Sequence, residues 1–153
     1  MFKIRQAEEK DSSRIAEIII FNNRVNFFPI FKSEEYSFGE LQVTNFIKNN
    51  LGDNELKKYY VYEEKDIVKG LIMINGTEVE RLYVDVFFQG RGIGEKLFRF
   101  AIEKFDVNYL WALEKNTRAI KFYNRHGFYF CGEKKFEEGT TEYLVMLKRE
   151  NTK

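Results

Sequence analysis

Polar and apolar residues alternate over several short stretches of the chain, and this period of two predicts β-strands. Residues 58–63 and 67–74 flank a charged turn, which indicates an antiparallel hairpin. Asn75-Gly76 favours a second tight turn, leading into a third strand of the same meander. The predicted strands cover residues 2–6, 58–63, 67–74, 77–86, 109–113, 128–136 and 141–148.

Apolar residues spaced by three and four predict four helices. In the first helix, Ile15, Ile18 and Ile19 recur at this spacing after short polar residues that suit a helix start. Gly127 stands where a glycine commonly ends a helix. The predicted helices cover residues 12–23, 38–49, 95–105 and 117–126.

The order of these elements predicts the fold class. Residues 77–86 and 109–113 flank a helix, and such a crossover makes two strands parallel and right-handed. The other strands should be antiparallel. We expect an α/β (α+β) protein with a single mixed, mostly antiparallel sheet of about seven strands, flanked by four helices. The chain has no repeat and one proline, Pro29, so residues 1–153 are expected to form one domain.

Composition narrows the classes of function. The net charge of +1 provides no general attraction to nucleic acid or to anionic membranes. Apolar runs are shorter than the roughly 20 residues that span a bilayer, and residues 1–6 lack the apolar core of a signal peptide. The one cysteine, Cys131, cannot form an internal disulfide and is expected to pack within its strand. We therefore expect a soluble cytoplasmic protein without a metal site.

The segment Gln89-Gly90-Arg91-Gly92-Ile93-Gly94 joins a predicted strand to a predicted helix. Glycines allow close approach of a ligand to the backbone. The first N–H groups of a helix have no partner within the helix and have partial positive charge. A phosphate group fits such a helix start, and Arg91 could add a charged contact.

This turn has three other interpretations. A Walker-type loop needs Lys-Ser/Thr after its second glycine, whereas Gly94 is followed by Glu95-Lys96. A Rossmann turn needs a third glycine at position 95, which is glutamate. A turn that only connects strand and helix remains possible on the glycines alone.

Two motifs together resemble the GNAT family of N-acetyltransferases. The first is Gln-x-x-Gly-x-Gly after Leu82-Tyr83-Val84-Asp85, and the second is Asn116-x-x-Ala-x-x-Phe-Tyr-x-x-x-Gly-Phe128. The element order from Phe2 to Lys148 also resembles the family's acyl-CoA N-acyltransferase-like fold. The resemblance implies that an amine attacks the thioester of acetyl-CoA directly, in a ternary complex. The alternative is a domain that binds or senses acyl-CoA without turnover.

The resemblance also assigns roles to individual residues. The backbone of residues 82–84 would hold the acetyl and pantetheine end, and the turn would bind the pyrophosphate. Glu95 departs mildly from the family pattern, so its carboxylate would have to point away from phosphate. The implied set for acetyl-CoA is Leu82, Tyr83, Val84, Gln89, Gly90, Arg91, Gly92, Ile93, Gly94, Glu95, Asn116 and Tyr123.

The resemblance implies that Tyr123 is the general acid that protonates the departing thiolate. Asn116 would bind the cofactor, cap its own helix, or do both. For the base, relatives use either of two positions, which here are Glu80, the favoured choice, and Glu78. Because Glu78 and Glu80 are two residues apart on a strand, their side chains should face one way, together with Leu82 and Val84. The single histidine, His126, is expected to be a cation at a helix end.

Residues 24–38 are expected to be irregular and rich in aromatic side chains. In the family, the corresponding region shapes the pocket for the acceptor. These aromatics could line such a pocket, or they could form core or dimer contacts. They are Phe27, Phe28, Phe31, Tyr36 and Phe38. We expect an amine acceptor, either a small molecule or a peptide, and a possible homodimer, with no nucleic-acid or membrane partner.

Overall fold

The protein folds as a mixed sheet with helices on both faces, and its computed structural model describes residues 1–150. The strands are β1 (Phe2–Gln6), β2 (Tyr59–Glu64), β3 (Ile67–Asn75), β4 (Glu78–Val84), β5 (Tyr109–Leu113), β6 (Phe128–Phe136) and β7 (Tyr143–Arg149). The helices are α1 (Ser12–Phe31), α2 (Val43–Asn50), α3 (Asp53–Leu56), α4 (Ile93–Phe105) and α5 (Thr117–Arg125). Within residues 1–150, no helix is long and apolar enough to cross a membrane.

Hydrogen bonds join the seven strands into one sheet in the order β1-β2-β3-β4-β5-β7-β6. Only β4 and β5 are parallel, and helix α4 forms the crossover between them. The neighbouring pairs are antiparallel. The predicted fold class is confirmed, including the parallel pair.

Each face of the sheet has its own hydrophobic core. On one face, α1 and α2 bury residues such as Ile15, Ile19 and Phe46 against β2 and β3. On the other face, α4 and α5 pack around Phe98, which is fully buried. The ring centre of Phe98 lies 5.8 Å from that of Phe122 and 4.9 Å from that of Phe128. These two cores hold the helices that border the central part of the sheet.

Helix α1 is longer than predicted. Residues 24–31, which were expected to be irregular, continue the helix through Pro29. The helix ends at Lys32, whose φ of 57° is left-handed and whose N–H donates to the carbonyl of Phe28 at 2.8 Å. Pro29 lies in the last turn, where it removes one helical hydrogen bond, the one to the carbonyl of Val25. The prediction ended the helix at residue 23, although Phe27, Phe28 and Phe31 continue a spacing of three and four.

The second helix begins later than predicted, and an extra helix follows it. Residues 35–40 form a π-helical turn, and α2 starts at Val43 rather than at residue 38. Arg24 of α1 donates to the carbonyls of Ser37 at 2.9 Å and Leu41 at 3.1 Å, which stabilises this turn from outside. The short helix α3 was not predicted.

Cys131 lies on the edge strand β6 and is exposed, so the prediction that it packs within its strand is wrong. The register of β6 against β7 shifts between Phe130 and Lys134, next to this cysteine. Such a shift interrupts the regular alternation of side chains between the two faces of the strand.

Gly70 on β3 lets helix α4 approach the sheet. A Cβ atom added there would lie 3.0 Å from Cγ2 of Ile93, 3.1 Å from Cδ1 of Leu97 and 3.2 Å from the carbonyl oxygen of Tyr83. Ile93 and Leu97 are buried, so they have little room to move.

We therefore expect Gly70→Ala to lower the free energy of unfolding by about 1–3 kcal/mol, as substitutions that overpack a core do. Denaturant unfolding measures this change. The matched control is Gly39→Ala, because a Cβ atom at Gly39 meets nothing within 4 Å. A Gly70→Ala protein as stable as the control would show that α4 can move away from the sheet without cost.

Candidate active site

The parallel strands β4 and β5 separate soon after they begin. They pair only at Glu78 with Tyr109 and at Val79 with Leu110. Further along, β4 stays paired with β3, and β5 stays paired with β7. An opening therefore forms in the middle of the sheet, with the backbone of residues 82–84 on one side.

A β-bulge in β4 lies where this opening starts. Met73 of β3 pairs with Arg81, and Ile74 pairs with Val79, so Glu80 is an extra residue in β4. Val79 and Leu82 consequently share the α4 face, although they are three residues apart.

The prediction that Glu78 faces the same way as Leu82 and Val84 is therefore wrong. Glu78 pairs with Asn75 and lies on the α1–α2 face of the sheet. The carboxylate of Glu80 reaches the same face, because it accepts a hydrogen bond from Asn75 Nδ2 at 2.8 Å. The bulge moves the side chains of residues 82 and 84 to the opposite face.

The glycine turn leads directly into α4. Gly90 and Gly92 have φ angles of 78° and 81°, in the left-handed region that glycine adopts without strain. The backbone around both residues is open. The free N–H groups at the start of α4 are therefore accessible to a ligand. The Arg91 guanidinium lies 5.4 Å from the ring centre of Phe88.

Gln89 points into the protein rather than toward solvent. Its Nε2 donates to the carbonyl of Val84 at 3.1 Å and to Oδ1 of Asn22 at 3.2 Å. Asn22, only 2% exposed, in turn donates from Nδ2 to the Val84 carbonyl at 2.9 Å. These two amides join helix α1, the end of β4 and the glycine turn. Asn22 was not among the predicted site residues, because a single asparagine on a helix gives no signal of a contact 62 residues away.

Two other residues of the implied set make contacts within their own helices. The carboxylate of Glu95 pairs with Arg99, one turn further along α4, at 2.9 Å. The Asn116 side chain accepts a hydrogen bond from the N–H of Ala119 at 3.3 Å and so caps α5.

Tyr123 borders the opening from α5. Its ring packs 5.4 Å from that of Phe98, and its surroundings raise the pKa of the phenol, mainly through burial. Within residues 1–150, its hydroxyl makes no hydrogen bond with a protein group. The hydroxyl therefore keeps its proton at neutral pH and is available to a ligand.

The two candidate bases differ in their surroundings. Glu78 accepts a hydrogen bond from the Tyr109 hydroxyl at 3.3 Å. Burial, and next the charge of Glu80, raise the pKa of Glu78, against the effect of that hydrogen bond. Glu80 is exposed and lines the cleft described below, whereas Glu78 does not.

A cleft of about 1590 Å³ includes the opening, the glycine turn and the start of α5. Its far wall contains Phe27 and Phe31 of α1 and Tyr36 of the π-helical turn. Phe28 and Phe38 instead pack against each other, with ring centres 5.2 Å apart. The loop between β6 and β7 adds residues 137–142, which the sequence analysis had not assigned to the site.

His126 ends α5, but it is not the cation that was expected there. Its ring lies 4.6 Å from that of Phe122 and 5.4 Å from that of Phe98. Burial, the largest effect, lowers the pKa of the imidazole, so the neutral form is favoured at pH 7.

Comparison with known proteins agrees with this geometry. A family model described as an acetyltransferase (GNAT) domain matches residues 32–149. The chain therefore belongs to the GNAT acetyltransferases, whose acyl donor is acetyl-CoA.

Individual relatives match different parts of the chain. A peptidyl-lysine N-acetyltransferase of Salmonella typhimurium, YjaB, is 24% identical over 148 residues, which are 95% of this chain and 96% of that protein. An uncharacterized N-acetyltransferase of Lactobacillus delbrueckii is 33% identical over 101 residues, 61% of this chain. The match spans 58% of that relative's length. The crystal structure of the PaiA N-acetyltransferase of Thermoplasma acidophilum with coenzyme A has a TM-score of 0.67 at 18% identity, over 97% of this chain and 99% of that one.

The residues of the cleft fit acetyl-CoA on three observations. The opening exposes the backbone of residues 82–84 between two strands. The left-handed glycines leave the start of α4 clear for phosphate oxygens. The buried Oδ1 of Asn23, which borders the cleft, has no hydrogen-bond partner within residues 1–150, so it can accept one from a ligand.

We expect Gln89→Leu to raise the Kd for acetyl-CoA roughly tenfold, which corresponds to about 1.4 kcal/mol. The substitution removes one of two donors to the Val84 carbonyl and loosens the turn that follows. Calorimetric titration with acetyl-CoA measures the Kd. Gln42→Leu is the control, because the exposed Gln42 side chain bonds only to nearby carbonyls of the π-helical turn. An unchanged Kd in a folded Gln89→Leu protein would show that Gln89 does not contribute to acetyl-CoA binding.

Proposed function

We propose that residues 1–153 form a single acetyltransferase domain that moves the acetyl group of acetyl-CoA to a primary amine. The observation that supports this most strongly is the opening between β4 and β5. It lies between an anion-binding turn and the tyrosine of α5, within one cleft. A cleft that holds both substrates favours direct attack, since proximity supplies much of the rate advantage.

The chain has groups for each requirement of the transfer. Backbone N–H groups from Gly90 to Glu95 bind the pyrophosphate, and the backbone of residues 82–84 orients the acetyl and pantetheine end. A free N–H group beside the opening is suited to stabilising negative charge on the carbonyl oxygen. Acetyl-CoA supplies the activated acyl group when it is bound.

Tyr123 is the proposed general acid. Tyr123 lines the cleft, and its hydroxyl keeps its proton because burial raises the pKa. It can therefore give a proton to the leaving sulfur. Asn116 keeps α5, and with it Tyr123, in place by capping the helix.

Glu80 is the proposed base, acting directly or through water on the proton of the amine. It lines the cleft, and the bulge turns it toward the α1–α2 face, where Phe27 and Phe31 form the opposite wall. Glu78 is the second candidate, but its carboxylate is bound to Tyr109.

The acceptor is a primary amine of a small molecule or a peptide. The Salmonella relative is named a peptidyl-lysine N-acetyltransferase. An aliphatic amine like that of lysine also suits the present cleft. The cytoplasmic location and the homodimer stay predictions.

Thiol release in the presence of acetyl-CoA and a broad panel of amines tests the proposal. We expect release that depends on at least one amine, with a matching acetylated product by mass spectrometry. Binding of acetyl-CoA without turnover for any amine would contradict the proposal and favour a domain that senses acyl-CoA.

Tyr123→Phe should lower kcat by roughly 10²-fold, because the leaving thiolate loses its proton donor. The Kd for acetyl-CoA should change little, since the ring remains. The wild-type rate should not fall on the alkaline side until above pH 10, because the pKa of Tyr123 is raised from its ordinary value of 10.0. Tyr129→Phe, on the exposed strand β6, is the control. A variant with wild-type kcat would assign Tyr123 to packing.

Glu80→Gln should lower kcat/KM by roughly 10²-fold near neutral pH if Glu80 is the base.

Glu78→Gln should affect the rate less but should change how the stability of the protein depends on pH. The pKa of Glu78 is raised in the folded protein, so the wild type loses stability as pH rises from the unfolded pKa of 4.5 through the folded value. The Gln variant lacks this loss. Rate profiles and unfolding curves against pH measure both effects. If Glu78→Gln lowers kcat/KM more than Glu80→Gln does, Glu78 is the base.

A further inference from the structure

Arg81 contributes a positive charge to the acceptor side of the cleft. It pairs with Met73 and therefore lies on the α1–α2 face, directly after the bulge residue Glu80. The side chain is half-buried and lines the cleft. Its guanidinium carbon lies 5.3 Å from the ring centre of Phe46 in α2.

No carboxylate neutralises this charge within residues 1–150. The other partly buried arginines have partners: Arg5 pairs with Asp11 at 2.8 Å, and Arg14 pairs with Asp85 at 2.8 Å. Arg24 donates to backbone carbonyls. Arg81 forms no ion pair, and the neighbouring Glu80 is hydrogen-bonded to Asn75 instead.

Two neutral tyrosines, Tyr59 and Tyr83, lie close to Arg81. Burial raises the pKa of Tyr59 to about 12 and also raises that of Tyr83, although the charge of Arg81 acts in the opposite direction on both. Both phenols are therefore protonated at pH 7. They can hydrogen-bond, but they do not compensate a cation.

A half-buried cation without a counter-charge is costly, and proteins normally pair such groups. The planar guanidinium is suited to a carboxylate, because two parallel N–H groups can bond to its two oxygens. A ligand that brings a carboxylate into this part of the cleft would supply the missing partner.

We propose that the acceptor is a short amino acid, whose carboxylate binds Arg81 while its amine reaches the opening beside Leu82. This inference rests on the proposed function. Arg81 and Leu82 are adjacent on β4 and line the same cleft, so a single small ligand can contact both. Glu80 and Glu137, which also line the cleft, favour the ammonium form of the amine as it enters.

The carboxylate is unchanged by the reaction. The ammonium group first gives a proton to the base, and the neutral nitrogen then forms a bond to the carbonyl carbon of the thioester. As the carbon–sulfur bond breaks, the sulfur takes a proton from Tyr123, and the nitrogen gives up its second proton, which restores the Tyr123 hydroxyl. The products are the N-acetyl amino acid and coenzyme A.

The test compares matched acceptors with the wild-type protein. Each standard amino acid is assayed beside its carboxamide and the amine that lacks the carboxyl group, together with a linear polyamine and a lysine-containing peptide with blocked ends. We expect kcat/KM for the preferred amino acid to exceed that for its carboxamide by at least tenfold. This comparison needs no variant.

Arg81→Gln provides the second readout. It should raise KM for the preferred amino acid by roughly 10-fold to 10²-fold, the range of a charged hydrogen-bonded pair, and leave kcat/KM for the carboxamide unchanged. Arg81→Lys should retain part of the preference. The Kd for acetyl-CoA verifies that each variant is folded.

Two results would overturn this inference and leave the proposed function standing. The first is turnover of the polyamine, the peptide or a carboxamide at least as fast as that of every amino acid. The second is an equal loss of kcat/KM for the amino acid and for its carboxamide in Arg81→Gln. Absence of turnover with every amine would instead contradict the proposed function, and the inference with it.

Discussion

The early separation of β4 from β5 is the constraint on which the rest of the site depends. Two parallel strands that pair at only two positions leave backbone groups on β4 without a neighbouring strand. Such groups are costly when they are buried without partners. The sheet tolerates the opening because β3 and β7 each hold one of its borders by antiparallel pairing. A ligand in the opening can supply the missing hydrogen bonds.

Polar contacts hold the end of β4 in place where sheet pairing no longer does. Asn22 and Gln89 both donate to the Val84 carbonyl, and the N–H of Asp85 donates to the carbonyl of Lys69 at 2.9 Å. The Asp85 carboxylate also pairs with Arg14 of α1 at 2.8 Å. These contacts place the glycine turn relative to α1, which forms part of the cleft wall. The same contacts therefore fix the positions of the glycine turn and of α1 relative to the end of β4.

The sequence was informative wherever local chemistry decides the structure. Alternation predicted the strands, and two motifs predicted both the glycine turn and the position of Tyr123 on a helix. Contacts between distant segments were missed. The bulge at Glu80 changes which side chains share a face, and nothing in the alternation from Glu78 to Val84 indicates it. The buried position of Asn22 and the unpaired charge of Arg81 likewise depend on residues far away in the chain.

The bulge also separates the two proton-transfer groups that we propose. Glu80 faces the α1–α2 side of the sheet, whereas Tyr123 packs with Phe98 in the core of the opposite side. The amine would lose its proton on one side of the opening, and the thiolate would gain one on the other. A regular strand would place Glu80 on the same face as Leu82 and Val84, the face on which α5 packs. The extra residue in β4 would therefore give the proposed base access to the acceptor side, while the proposed acid would stay beside the leaving group.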